Sequence, residues 1–172
     1  MREIETNRFI LKKLEDKYIN SVYNILSDKN VISNLNMNIH KNINDTKELF
    51  KEYEEGYLKK EKYPFEIIDK NNGNFIGVFL IKLDIYDEDS FEFTIYLDKK
   101  YWNMGIYSEV LPFMSKFAFL DIKTTNFRGF VMEKNIASRK VLEKCGFKLE
   151  KVFSVPGIED KIYSFLKTCE EV

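Results

Sequence analysis

The chain has 172 residues, of which 44% are hydrophobic, 32% charged and 15% aromatic. That composition suits one globular domain with its own core and excludes a disordered chain. With 27 basic against 28 acidic residues the net charge is −1, which excludes the cationic excess that nucleic-acid binding draws on. The start, Met1-Arg2-Glu3-Ile4-Glu5, leads into no apolar leader, and no apolar run reaches membrane-span length. Two cysteines, Cys145 and Cys169, are too few for a disulfide framework and read as a core and a tail residue. A cytoplasmic protein without membrane or nucleic-acid partners is expected, with residues 1–172 as a single domain.

Arg8 to Lys13 alternates Phe9 and Leu11 against Arg8, Ile10 and Lys12, which predicts a strand. Glu15 to Ser27 carries Ile19, Val22, Tyr23 and Leu26 at helical spacing, and the Asn-rich stretch Asn34 to Asn44 reads as a loop. An acid-capped helix is expected from Asp45 to about Lys60. Phe65–Ile68 and Phe75–Leu83 flank Asn72-Gly73, a pair that tolerates positive φ and predicts a hairpin. The acidic turn Asp84–Asp89 precedes the strand Ser90–Leu97, with Phe91, Phe93, Ile95 and Leu97 on one face and Glu92, Thr94 and Tyr96 on the other. A helix over Gly105–Leu120, a strand over Thr124–Met132 and a helix over Ile136–Cys145 follow. Strands over Phe147–Val155 and Lys161–Leu166, joined by Pro156-Gly157, close the chain. This order predicts a mixed α/β (α+β) fold.

Two segments carry chemistry. Tyr101 to Glu109 joins a strand to a helix whose unpaired N–H groups and partial positive charge suit a phosphate, and Gly105 allows a close approach. Thirty residues after Gly105, Asn135 opens a helix that closes on Gly146, with Ser138 in its first turn. Taken singly, each segment is also an ordinary turn or cap.

In this order the two resemble the acetyl-CoA-binding motifs of the GNAT superfamily of N-acetyltransferases, in its RimJ/RimL-like, ribosomal-protein N-terminal acetyltransferase branch. Glu5-Thr6-Asn7-Arg8-Phe9-Ile10-Leu11 looks like that branch's "ET-x-R-L-x-L" strand, and Asn74-Phe75-Ile76-Gly77 its "x-x-I-G". Glu92-Phe93-Thr94-Ile95-Tyr96-Leu97 is similar to "E-I-G-Y-x-L", and Trp102-Asn103-Met104-Gly105 to "W-G-x-G". The resemblance implies a mostly antiparallel sheet of about seven strands flanked by helices. It also implies an acetyl-CoA-dependent enzyme that acetylates a primary amine, as monomer or homodimer; a non-catalytic acyl-CoA-binding protein is the alternative.

The resemblance further implies that the Tyr96 and Leu97 backbone binds the pantetheine arm. Backbone amides of Trp102, Asn103, Met104, Gly105, Ile106, Tyr107 and Ser108 would hold the pyrophosphate, with Lys140 among the cofactor contacts. Asn135 would touch the pantetheine and Ser138 would lie near the sulfur. Where Tyr107 stands the family has a small residue, so its side chain is expected to point outward. Asn103 and Thr94 stand where the family has glycine.

An alkyl amine is protonated at neutral pH, so the reaction needs a base, and Glu92 is the candidate. Ser138 is the second catalytic candidate, at the leaving thiolate. His40 reads as a solvated loop residue, the acidic turn as a hairpin tip, and Phe113, Phe117 and Phe119 as core. No cluster has metal-ligand spacing, so no metal is expected.

Overall fold

The computed structural model describes all residues except Asn36, Ile85, Tyr86 and Val172, and all their side chains except those of Glu88 and Glu171. In chain order the elements are β1 (Ile4–Glu5), β2 (Phe9–Lys13), α1 (Ile19–Leu26), α2 (Lys29–Ile32), α3 (Ile43–Leu58), β3 (Lys62–Asp69), β4 (Phe75–Asp84) and β5 (Asp87–Leu97). They continue with α4 (Ile106–Phe117), β6 (Asn126–Met132), α5 (Ile136–Lys144), β7 (Lys148–Phe153) and β8 (Ile162–Thr168). The strands form one mixed sheet in the order β1-β2-β3-β4-β5-β6-β8-β7. β5 and β6 run parallel, and the pairs β1/β2, β2/β3, β3/β4, β6/β8 and β7/β8 run antiparallel. The expected mostly antiparallel α/β architecture stands, with eight strands instead of about seven. The added β1 spans two residues, too short for an alternation pattern to reveal.

The chain forms two compact units, one of Met1–Lys82 with Ile95–Ile106, the other of Leu83–Thr94 with the chain from Tyr107 onward. In the first, Val22, Ile25 and Leu26 of α1 pack with Phe50 and Tyr53 of α3, Val78 and Leu80 of β4, and Tyr96 of β5. Spacings of three and four put these apolar residues on one face of each helix. The helix expected from Asp45 begins earlier, at Ile43. Asn42 is its N-cap, accepting from the backbone N–H of Asn44, while Asp45 reaches back to the N–H of Asn42. The aspartate is the third helical residue of a capping box, a role that looks like a cap in sequence because both positions favour acids. Within the Asn34–Asn44 stretch, Asn36 lies outside the described residues.

In the second unit the rings of Phe93, Phe127 and Phe147 cluster, with the Phe93 and Phe127 centroids 4.7 Å apart and those of Phe93 and Phe147 5.6 Å apart. Gly129 lies beside Phe93 in the parallel register. A Cβ on it would sit 2.8 Å from the Phe93 ring and 3.2 Å from Leu142 of α5, so glycine here is what lets α5 settle onto this part of the sheet. The helix expected over Gly105–Leu120 is α4, running on into a single π-turn at Ala118–Ile122. Phe117 and Phe119 are buried as expected, but Phe113 is 40% exposed and is not core.

β5 starts at Asp87, inside the expected turn, and Ile85 and Tyr86 of that turn lie outside the described residues. Its expected apolar face holds only in part. Phe91 and Phe93 are buried, Ile95 and Leu97 are half-buried, and Tyr96 from the opposite set is buried. The sheet carries apolar packing on both faces here, which removes the simple in-out alternation.

Candidate functional site

Sequence-predicted site residues fall in both units. In the first, β5 ends at Leu97 and the chain makes a single 3-10 turn over Lys99–Tyr101, capped by Asp98, whose side chain accepts from the N–H of Lys100. The Trp102 indole N–H donates to the Leu97 carbonyl at 3.2 Å, tying the loop back to the strand end. Asn103 and Gly105 both take left-handed backbone conformations, at φ of 62° and 72°, with exposed Met104 between them. Asparagine tolerates this region better than most residues, so the departure from glycine at Asn103 keeps the turn.

Arg8 on the approach to β2 donates through Nη2 to the Met104 carbonyl at 3.0 Å. A Cβ built on Gly105 would meet nothing nearer than that Nη2, at 3.7 Å. An open approach to the backbone, a guanidinium beside it and the start of α4 form a donor set that fits a phosphate. Arg8 was not among the residues singled out for the site. Its signal was present in the opening strand, as the one arginine of a segment otherwise read for packing.

The Tyr96 side chain is packed away in the core. Its ring is 1% exposed and its hydroxyl lies 3.2 Å from that of Tyr53. Burial pushes both hydroxyls above the ordinary tyrosine range, so both stay protonated at neutral pH.

In the second unit, half-buried Glu92 of β5 lies beside Arg128 of β6 in the parallel register, on the sheet face opposite to Phe93. Asn135 caps α5, its side-chain oxygen accepting from the N–H of Ser138 at 3.1 Å, and its carbonyl accepts from Arg139 N–H at 3.2 Å. Ser138 is half-buried and Lys140 exposed. At the other end of α5, Phe147 N–H bonds back to the Leu142 carbonyl at 3.0 Å, which anchors Phe147 in the aromatic cluster.

The expectation for Tyr107 is corrected. The residue is half-buried, and burial together with the nearby Cys145 sulfur pushes its hydroxyl well above the ordinary range. The side chain places its polar end beside the C-terminal cap of α5 and not out in solvent. Burial likewise raises the Cys145 thiol, against Lys167 and Lys144, so it is no ready nucleophile.

His40 is half-buried, with Nδ1 2.8 Å from the hydroxyl of fully buried Thr46 and its backbone N–H on the Leu26 carbonyl. It is a packing residue of the α1–α3 pair and not a solvated one. Desolvation lowers its pKa, opposed by Asp45. Among the described residues no group of three or more His, Cys, Asp or Glu could hold a metal ion, and no helix is long and apolar enough to cross a membrane.

Known proteins share this fold. Residues 8–148 match the model of the acetyltransferase (GNAT) domain family. A probable N-acetyltransferase of Bacillus subtilis (strain 168), YjcK, is 33% identical over 100 residues, covering 58% of this chain and 55% of that protein. The chain thus spans about half the length of that curated relative. Spermidine N-acetyltransferase from Vibrio cholerae, solved with CoA and spermine, superposes with a TM-score of 0.84 at 17% identity, over 95% of this chain and 97% of that one. RimL, a ribosomal L7/L12 alpha-N-protein acetyltransferase solved with coenzyme A, gives 0.85 at 14% identity, over 99% of this chain and 100% of that one. With its family match spanning β2 to the start of β7 and its fold shared by these enzymes, the chain belongs to the acetyltransferase (GNAT) domain family.

Proposed function

We propose that this protein transfers the acetyl group of acetyl-CoA to a primary amine in a ternary complex. The observation that carries the reading is the loop from Trp102 to Gly105. Two left-handed residues open its backbone, Arg8 stands beside it, and it leads straight into α4. Backbone amides from Trp102 to Ser108 would hold the pyrophosphate, with Arg8 and Lys140 as cationic contacts.

The pantetheine arm would pair with the Tyr96 and Leu97 backbone as an added strand does, although the Leu97 carbonyl already accepts the Trp102 indole. Because the Asn135 oxygen is committed to the α5 cap, its contact with the arm would run through its amide NH2 group. Bound acetyl-CoA supplies an activated acyl group on a sulfur whose thiol pKa of ~8.5 makes it a fair leaving group.

Glu92 would take the proton of the attacking amine, directly or through one water. An amine with a pKa near ~10.4 is otherwise almost wholly protonated at neutral pH. A backbone N–H near Tyr96 would meet charge developing on the acyl oxygen, and the Ser138 hydroxyl would donate to the departing sulfur. The acceptor class is an amine such as a polyamine or a protein N-terminus, supported by the named activities of the spermidine and RimL relatives. The reading takes the enzyme as cytoplasmic, supported by two free thiols, one of them exposed.

The test is a screen of polyamines, aminoglycosides and short peptides with free N-termini, read as amine-dependent release of CoA thiol and an acetyl-group mass gain on the amine. Both signals together on one class support the reading. Tight acetyl-CoA binding with no turnover on any amine would leave a non-catalytic acyl-CoA-binding protein instead.

A further inference from the structure

The acidic turn ahead of β5 is no simple hairpin tip, because two of its carboxylates, those of Asp84 and Asp87, converge on one cation of the neighbouring strand. Arg128 has a side chain only 13% exposed. Its Nη1 donates to Asp84 Oδ2 at 3.2 Å and to Asp87 Oδ2 at 3.3 Å, while Nε and Nη2 grip Glu150 at 3.1 and 3.2 Å. The planar fork of arginine can serve three acceptors at once, which the point charge of a lysine cannot.

Two of the three carboxylates are themselves held. The Ser90 hydroxyl donates to Asp87 at 2.5 Å and the fully buried Ser164 hydroxyl donates to Glu150 at 2.8 Å. Glu150 is the extra residue where the β7–β8 register slips between Leu149 and Lys151. A bulge is a device for re-aiming a side chain, and here it brings the carboxylate to Arg128. Single changes in β4, β5, β7 and β8 thus serve one guanidinium, and the parallel register sets Glu92 directly beside it on the same face.

We propose that Arg128 is a positioning residue for acyl transfer, tying the carboxylates of β4, β5 and β7 into one network that holds the Glu92 segment of β5 in its working geometry. The proposal rests on Glu92 being the base. Three carboxylates on one guanidinium leave an excess of negative charge, relieved on β7 by Lys151, which acts on Glu150. Loss of Arg128 would therefore free the strand end and leave three like charges uncompensated around the strand that carries Glu92.

The experiment compares Arg128→Lys and Arg128→Met, each in the parent and in the Glu92→Gln background. Acetyl-CoA affinity, kcat, KM and the pH profile are measured with the amine that turns over fastest in the parent. In the parent background, Arg128→Lys should lower kcat by about tenfold or more while acetyl-CoA affinity stays within about twofold. Arg128→Met, which removes the cation as well as the fork, should lower kcat at least as far. In the Glu92→Gln background neither change should lower kcat further, since both act through the same step. If Arg128→Met fails to fold, the two Arg128→Lys measurements decide by the same criterion. Equal losses in both backgrounds, or an unchanged kcat, overturn the proposal while leaving the base reading intact. A Glu92→Gln enzyme with parental kcat overturns both.

Discussion

Gly105 and Tyr96 show how single residues divide between binding and packing. Gly105 sits at φ of 72°, with the Arg8 Nη2 3.7 Å from where a Cβ would stand. A Cβ there meets no clash, but valine must adopt a backbone conformation that costs it roughly 1–2 kcal/mol. Gly105→Val should thus lower the melting temperature by a few degrees and weaken acetyl-CoA about tenfold or more in a titration, with the far-UV circular dichroism unchanged. An unchanged affinity would make the loop structural only. Tyr96→Phe tests the opposite assignment. Loss of its hydroxyl bond to Tyr53 should cost about 1 kcal/mol in denaturant unfolding and leave kcat untouched. A collapse of kcat would mean that the buried hydroxyl takes part in the chemistry after all.

At the scale of elements, helices and strands were legible wherever one face carries the packing, as in α1 with Val22, Ile25 and Leu26. The Asn135 cap and its Ser138 partner were legible too, because a cap acts within four residues. The two-residue β1, the bulge at Glu150 and the convergence on Arg128 were not. They depend on which strands become neighbours, and no local pattern encodes that. Tyr107 was misread because its hydroxyl is buried near Cys145, the C-cap of a helix about thirty residues away in the chain.

The Arg128 network also makes a prediction about acid stability. Burial works to raise the Glu150 carboxyl, but hydrogen bonds from Arg128 and Ser164 outweigh it, so its pKa is lowered in the folded chain. A depressed carboxylate pKa stabilises the fold above the unfolded value of ~4.3, and that contribution disappears as pH falls through the lower folded value. Glu150→Gln should therefore melt below the parent at pH 7, and the gap should close as pH falls below about 4. A gap that stays constant with pH would mean that Glu150 acts through packing alone.

For the molecule as a whole, the family match and the shared fold fit acetyl transfer, while relatives with that fold are named for different acceptors, spermidine and ribosomal L7/L12. The central claim is that Glu92 removes the amine proton during acetyl transfer. The measurement that tests it most directly is the pH dependence of CoA thiol release by the parent and Glu92→Gln enzymes, at saturating acetyl-CoA and with the preferred amine. With a working base the parent rate rises with pH to a plateau. The variant should run about 100-fold slower at neutral pH, bind acetyl-CoA as the parent does, and recover at high pH, where free amine is abundant. Equal rates for the two enzymes across the pH range would contradict the claim, and a raised KM with kcat intact would reduce Glu92 to a binding site for the cationic acceptor.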